Sequence, residues 1–142
     1  MENPLLRRAI VVGLILTFGA IEVFAQSAQL HRISTDLVRT GFARDYDNDL
    51  SGSADQGNSR RHAIWLSGGR EYRINGTCDV DCLDVDLALF SPSGRLVDSD
   101  RLADDYPQVV ARPSTSGWYR LDVEMAHCSR APCFYEVAVH SR

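Results

Sequence analysis

From residue 62 onward, apolar and polar residues alternate along the chain with a period of two. The segment 83–90, "LDVDLALF", places Val85, Leu87 and Leu89 on one side and acidic or small residues on the other. Successive side chains of a strand point to opposite faces of a sheet, so this pattern predicts a strand with one buried face. The same alternation recurs in residues 62–67, 70–76, 117–125 and 133–141.

Upstream of this region the pattern is different. Residues 28–43 carry apolar side chains at helical spacing, and Gly41 suits the end of a helix. These apolar positions are Leu30, Ile33, Leu37, Val38 and Phe42. Residues 44–59 are rich in Asp, Ser, Gly and Asn, which predicts a polar linker or long loop, with room for one short strand.

The two patterns together predict an all-β fold, an antiparallel β-sandwich preceded by a short N-terminal α-helix. Seven or eight short strands at roughly ten-residue spacing suit two packed sheets of jelly-roll type. We expect the helix and linker to occupy residues 26–59 and the sandwich to occupy residues 60–142, in a monomer.

The first 25 residues have the order of a secretory signal peptide. Arg7 and Arg8 precede an apolar run, and cleavage is expected after Ala25. The alternative is a retained membrane anchor, but the run is shorter than the ~20 residues needed to span a bilayer and Glu22 interrupts its end. The sequence therefore predicts a periplasmic or secreted protein with no stable membrane span after cleavage.

Four cysteines stand at positions 78, 82, 128 and 133. In an exported chain this even number predicts two disulfides, with three possible pairings. We favour the local pairs, Cys78 with Cys82 and Cys128 with Cys133. The spacings would also suit a four-thiolate zinc site, which an oxidising compartment disfavours.

The charge pattern argues against a nucleic-acid partner. The chain has 15 basic residues, all Arg, and 19 acidic residues, for a net charge of −4. No basic patch with interleaved aromatic residues is visible in the sequence.

The order of the strand motifs resembles the bacterial pre-peptidase C-terminal domain. The matching segments are "G-x-x-Y-x-I-x-G" at 69–76, "DVDLAL" at 84–89, "PSG" at 92–94, "G-x-Y-x-L-x-V" at 117–123 and "Y-x-V-x-V" at 135–139. The resemblance covers about residues 60–140, and the cysteine pairs are similar to those of small stand-alone exported members. It implies a β-sandwich that is mostly a non-catalytic accessory of secreted proteins, with calcium or an extracellular polymer as ligand in some members.

Eight aspartates fall within residues 79–105. Calcium takes about six to eight oxygen ligands, and a disulfide-closed turn could aim several carboxylates together. The predicted ligands are Asp79, Asp81, Asp84 and Asp104. The favoured alternative is a solvent-facing strand surface, since Asp84 and Asp86 point away from the apolar side of their strand.

Trp65 and Trp118 lie out of phase with the core residues of their strands, which predicts outward-facing rings. Exposed aromatic rings could stack on a sugar, which makes a carbohydrate-binding module one candidate, or they could contact a protein. We expect instead that the N-terminal helix or a neighbouring sheet edge covers them.

Catalysis finds little support in the sequence. The four histidines stand in no recognisable catalytic frame, and the motifs of common hydrolases and nucleotide-binding loops are missing. Paired carboxylates leave a small hydrolase as an alternative. The sequence thus predicts an exported, non-catalytic binding or accessory module, with calcium as the candidate cofactor and an extracellular or periplasmic protein or polysaccharide as the partner.

Overall fold

The structure, a computed structural model, describes residues 28–142; the predicted signal peptide lies outside the described residues. Helix α1 spans residues 28–39. Nine strands follow, with a short 3₁₀ helix (Tyr46–Asn48) between the first two. The strands are β1 (Ala43–Arg44), β2 (Leu50–Ala54), β3 (Ser59–Leu66), β4 (Tyr72–Cys78), β5 (Cys82–Phe90), β6 (Leu96–Asp100), β7 (Gln108–Ala111), β8 (Gly117–Cys128) and β9 (Cys133–Ser141).

The strands form two antiparallel sheets, which confirms the predicted all-β sandwich with a short N-terminal helix. Sheet A has the order β1–β9–β4–β7, with β2 pairing along the same edge of β9 as β1. Sheet B has the order β3–β8–β5–β6. Alternate residues of both sheets build one buried core, which includes Ile64, Leu87, Val109, Leu121 and Val139. Burial of this apolar surface is the main force holding the two sheets together.

The predicted boundary between linker and sandwich differs from the structure. Strand β2 lies within residues 44–59 and pairs with β9, so most of that segment belongs to sheet A. Gly52 stands opposite Tyr135, whose phenol occupies the space that a side chain at position 52 would need. A strand with this glycine and two serines has low intrinsic strand preference, and its pairing with β9 is what orders it.

Helix α1 covers the outer face of sheet A. Ser34 on the helix lies 3.0 Å (Oγ to Nε2) from His140 of β9, and His140 is fully buried. Phe42, just after the helix, is also buried and packs beneath the guanidinium groups of Arg73 and Arg142. We call the outer surface of sheet A under these residues the covered face.

Both disulfides have the local pairing that the spacing favours. Cys78 bonds to Cys82 across the β4–β5 turn, and Cys128 bonds to Cys133 across the β8–β9 turn. The thiolates of a zinc site are therefore not available. Within residues 28–142, no helix is long and apolar enough to cross a membrane.

Candidate binding face

Two tryptophans stand side by side on the outer surface of sheet B. Trp65 of β3 pairs directly with Trp118 of β8, and their ring centroids are 5.4 Å apart at an interplanar angle of 73°. Trp65 is 43% exposed and Trp118 is 61% exposed. The outward orientation predicted from the sequence is correct. The expectation that the helix or a sheet edge covers the rings is wrong, because α1 lies on the opposite sheet.

The side-chain amide of Asn48 fixes the position of Trp65, because it hydrogen-bonds the Trp65 backbone as a neighbouring strand would. The Trp65 N–H donates to Asn48 Oδ1 at 3.0 Å, and Asn48 Nδ2 donates to the Trp65 carbonyl at 3.0 Å. These backbone groups therefore point away from β8, which makes Trp65 and Trp118 a non-hydrogen-bonded pair. Side chains approach most closely in pairs of this kind, so the register itself brings the rings together.

The apolar surface continues across the sheet from the tryptophans. In the next row Arg120 stands between Ala63 and Phe90, and Phe90 pairs with Leu96. The Arg120 guanidinium lies 4.0 Å from the centroid of the Phe90 ring, and Leu96 is exposed. We call this surface the tryptophan face; its residues are Ala63, Trp65, Phe90, Leu96, Trp118 and Arg120.

The predicted calcium ligands are not gathered into a site. Among residues 28–142, no three His, Cys, Asp or Glu side chains are placed to hold one metal ion. Asp79 instead accepts a hydrogen bond from the Phe134 N–H at 3.1 Å, within the turn closed by the first disulfide. Partial burial raises the pKa of Asp79, and the Phe134 N–H partly offsets that effect. Asp81, Asp84 and Asp104 likewise belong to no group of three possible metal ligands within the described residues.

The outward acids of β5 are less solvated than the strand pattern predicts. Asp86 points away from the core, yet it is buried on the outer surface of sheet B. Desolvation is the main cause that raises the pKa of Asp86, followed by the nearby charge of Asp84. The Arg101 guanidinium, 3.6 Å away (Nη1 to Oδ2), acts in the opposite direction. The prediction of a wet acidic strand face is therefore wrong at Asp86.

Two further acids of the cluster have a structural role. Asp98 accepts the Val110 N–H at 2.7 Å, and Asp100 accepts the Gln108 N–H at 2.9 Å. These N–H groups lie on the free edge of β7, so the carboxylates of β6 occupy the open side of sheet A. Protecting an edge in this way prevents it from pairing with another chain.

The buried Ser34–His140 pair has the residue types of a nucleophile and a base, but not the geometry. His140 Nδ1 is buried and has no hydrogen-bond partner within the described residues, so no third group orients the ring. Burial lowers the pKa of His140, and the charge of Arg44 lowers it further. Both residues are buried where α1 meets sheet A, so substrate has no access to them. The pair joins the helix to sheet A.

Comparison with known proteins finds a likeness of fold to a solved structure. No family model and no curated protein matches the chain. The chain is similar in structure to Aeromonas hydrophila PliG, a periplasmic lysozyme inhibitor of g-type lysozyme, with a TM-score of 0.51 and 14% sequence identity. The match covers 72% of this chain and 90% of the inhibitor. At this identity the likeness is one of fold, and the resemblance to the pre-peptidase C-terminal domain stays a prediction.

Proposed function

We propose that this chain is an exported, non-catalytic module that binds another protein through its tryptophan face. The observation that carries the proposal is the exposed Trp65–Trp118 pair. Large apolar rings in water are costly to maintain, and a contiguous exposed patch of them marks an interaction surface. The two rings do not help to build the core, because the core side chains lie on the opposite faces of the same strands.

The composition of the face favours a protein partner over a sugar. Trp and Arg are the residue types most enriched at the energetic centres of protein interfaces, and Arg120 stands in the row beside the tryptophans. The two rings meet edge to face, at 73°, so they do not form one flat platform for a sugar ring. The fold neighbour is itself named for binding a protein, a g-type lysozyme.

Export is supported by the two disulfides and by the amino-terminal sequence. Disulfides persist in oxidising compartments such as the periplasm, and all four cysteines of the chain are paired. Residues 1–25 have the pattern of a cleavable signal peptide. Calcium and catalysis are not part of the proposal.

The first test is isothermal titration of the mature chain with a purified g-type lysozyme. Trp118→Ala should weaken binding by about 30-fold or more, as expected for the loss of an anchor residue worth about 2 kcal/mol. Phe134→Ala is the matched control, because Phe134 is an exposed aromatic on the outer side of sheet A. This variant should bind within about twofold of the original chain.

A parallel titration with soluble peptidoglycan fragments separates the sugar hypothesis. If the chain gives no heat with lysozyme but binds the glycan, and Trp118→Ala abolishes that binding, the face is a carbohydrate site. If lysozyme binds both variants equally, the partner uses another surface and the proposed face is wrong.

A further inference from the structure

A second surface feature combines three arginines with one partly buried carboxylate. Glu71 stands just before β4, and the loops 67–71 and 112–116 meet the carboxyl end of β9 around it. A pocket of about 370 Å³ opens there to solvent. It is lined by Gly69, Arg70, Glu71, Arg112, Pro113 and Arg142, and we call it the arginine pocket.

Glu71 holds three guanidinium groups in fixed positions. Its Oε2 accepts from Arg142 at 2.9 Å (Nη2) and 3.1 Å (Nε), while Oε1 lies 3.0 Å from Arg73 Nη2 and 3.2 Å from Arg112 Nη2. The hydrogen bonds from Arg142 are the main cause that lowers the pKa of Glu71, with a further contribution from Arg112. The carboxylate is therefore ionised at neutral pH and organises the arginines around it.

The backbone around the pocket is also constrained. Glu71 and Arg142 exchange two main-chain hydrogen bonds of 3.0 Å each, and the Gly69 N–H donates to the Pro113 carbonyl at 2.8 Å. Gly69 has φ +82°, a conformation that residues with a side chain rarely adopt. From below, the Phe42 ring packs against Arg142, with the guanidinium 4.6 Å from its centroid. The donors are thus held on a rigid frame before any ligand arrives.

The pocket has more positive charge than its own carboxylates neutralise. Three arginines line it, Arg70, Arg112 and Arg142, against one carboxylate side chain, that of Glu71. The side chain of Arg112 is 71% exposed, and within residues 28–142 its Nε and Nη1 make no hydrogen bond. A guanidinium presents its donors as a planar fork that matches a carboxylate. In a chain of net charge −4, this local surplus is distinctive.

The arginine pocket and the tryptophan face share one end of the sandwich. Trp65 is three residues before Gly68, and the Gly68 N–H donates to Ser116 Oγ at 2.9 Å, two residues before Trp118. At about 3.3 Å per residue, each tryptophan lies within about 10 Å, along its own strand, of this junction between the two pocket loops. One partner of ordinary interface size can cover both features.

We propose that the arginine pocket binds a carboxylate, and that the carboxylate is an acidic side chain of the protein that docks on the tryptophan face. The identity of this occupant rests on the proposed function, whereas the carboxylate site rests on the pocket geometry. Arg112 supplies the free donors, and Glu71 positions the pocket without touching the occupant.

The site is tested without any partner by titrating ¹⁵N-labelled chain with succinate, against sodium chloride at equal ionic strength. The expected result is saturable shifts of the Gly69 and Glu71 amides and of the Arg112 Nε–H, with succinate and not with chloride. Arg112→Gln should weaken succinate binding about tenfold or more, since hydrogen bonds to a charged group are lost. Arg130→Gln, an exposed arginine in the β8–β9 turn, should leave it unchanged. Shifts that do not saturate, or equal losses in the two variants, overturn the proposal.

The occupant is tested by titrating g-type lysozyme with the same two variants and with Trp118→Ala. If Arg112→Gln weakens lysozyme binding about tenfold and Arg130→Gln does not, the pocket takes a carboxylate of the partner. If Trp118→Ala weakens binding and Arg112→Gln does not, this inference fails while the proposed function survives. If Trp118→Ala has no effect, the proposed function fails, and the succinate titration alone then decides the carboxylate site.

Discussion

The two outer faces of the sandwich arise from the same strand alternation but differ in what they bury and what they expose. On the outer side of sheet A, which includes the covered face, polar residues lie buried, among them Asn75, Thr77 and His140, and Ser34 of α1 contacts His140. On the tryptophan face, apolar rings lie in water. Burial of polar groups and exposure of apolar ones both cost free energy. Contacts such as that between Ser34 and His140 Nε2 reduce the first cost within the molecule, and the second is reduced only when something binds.

The comparison gives each face a distinct role. The covered face contributes to folding, since its residues contact the helix and the segment after it. The tryptophan face contributes little to folding, since Trp65 and Trp118 contact each other and solvent. Substitutions on the first should therefore change stability, and substitutions on the second should change binding.

The largest expected effect on stability comes from Phe42→Ala. Truncating this buried ring removes its packing on sheet A and the support of Arg73 and Arg142. The free energy of unfolding should fall by about 3–5 kcal/mol, the usual cost for a buried phenylalanine. Urea denaturation followed by far-UV circular dichroism measures it.

Trp118→Ala is the counterpart on the other face. Its loss removes one edge-to-face aromatic contact and little buried area, so the free energy of unfolding should fall by only about 1 kcal/mol. A loss as large as that of Phe42→Ala would mean that the tryptophan face is part of the folding core, and the distinction between the faces would not hold.

A smaller effect is expected from the buried histidine of the covered face. Folding lowers the pKa of His140 below its ordinary 6.5, so the unfolded chain binds the proton more readily. The contribution of neutral His140 is therefore fully present above pH 6.5 and is lost as the pH falls through 6.5 toward the lower pKa of the folded state. The neighbouring charges are Arg44, which strengthens this effect, and Asp49, which weakens it.

Urea denaturation about one pH unit above and about one unit below 6.5 tests this expectation. His140→Gln should reduce the loss of stability between the two conditions. His62 also has a lowered pKa, caused mainly by burial, so a part of the loss should remain in that variant. An unchanged loss in His140→Gln would show that His140 is not buried in its neutral form.

Alternation along the strands was enough to predict the sandwich and the outward orientation of Trp65 and Trp118. It could not predict what covers an outer face, because a strand pattern says which side a residue takes and nothing about which sheet the helix chooses. The helix lies on sheet A, where Ser34 meets His140, a residue distant from it in the sequence.

Other features depend on contacts between distant parts of the chain. Strand β2 falls in the segment predicted as a linker with room for one short strand, because its Gly and Ser residues favour loops. The Tyr135 ring opposite Gly52 explains the glycine. Asn48 was hidden in the predicted linker, although its amide group positions Trp65. The arginine pocket joins residues 69–71, 112–113 and 142, and no local pattern connects them.

The most direct test of the central distinction uses the fact that the chain has two tryptophans, both on the tryptophan face. Labelling the mature chain with 5-fluorotryptophan gives one ¹⁹F resonance for each ring, free of signals from an unlabelled partner. On titration with g-type lysozyme, both resonances should shift and then saturate at the stoichiometric point found by calorimetry. A complex that forms by calorimetry while both resonances stay unchanged would contradict the account.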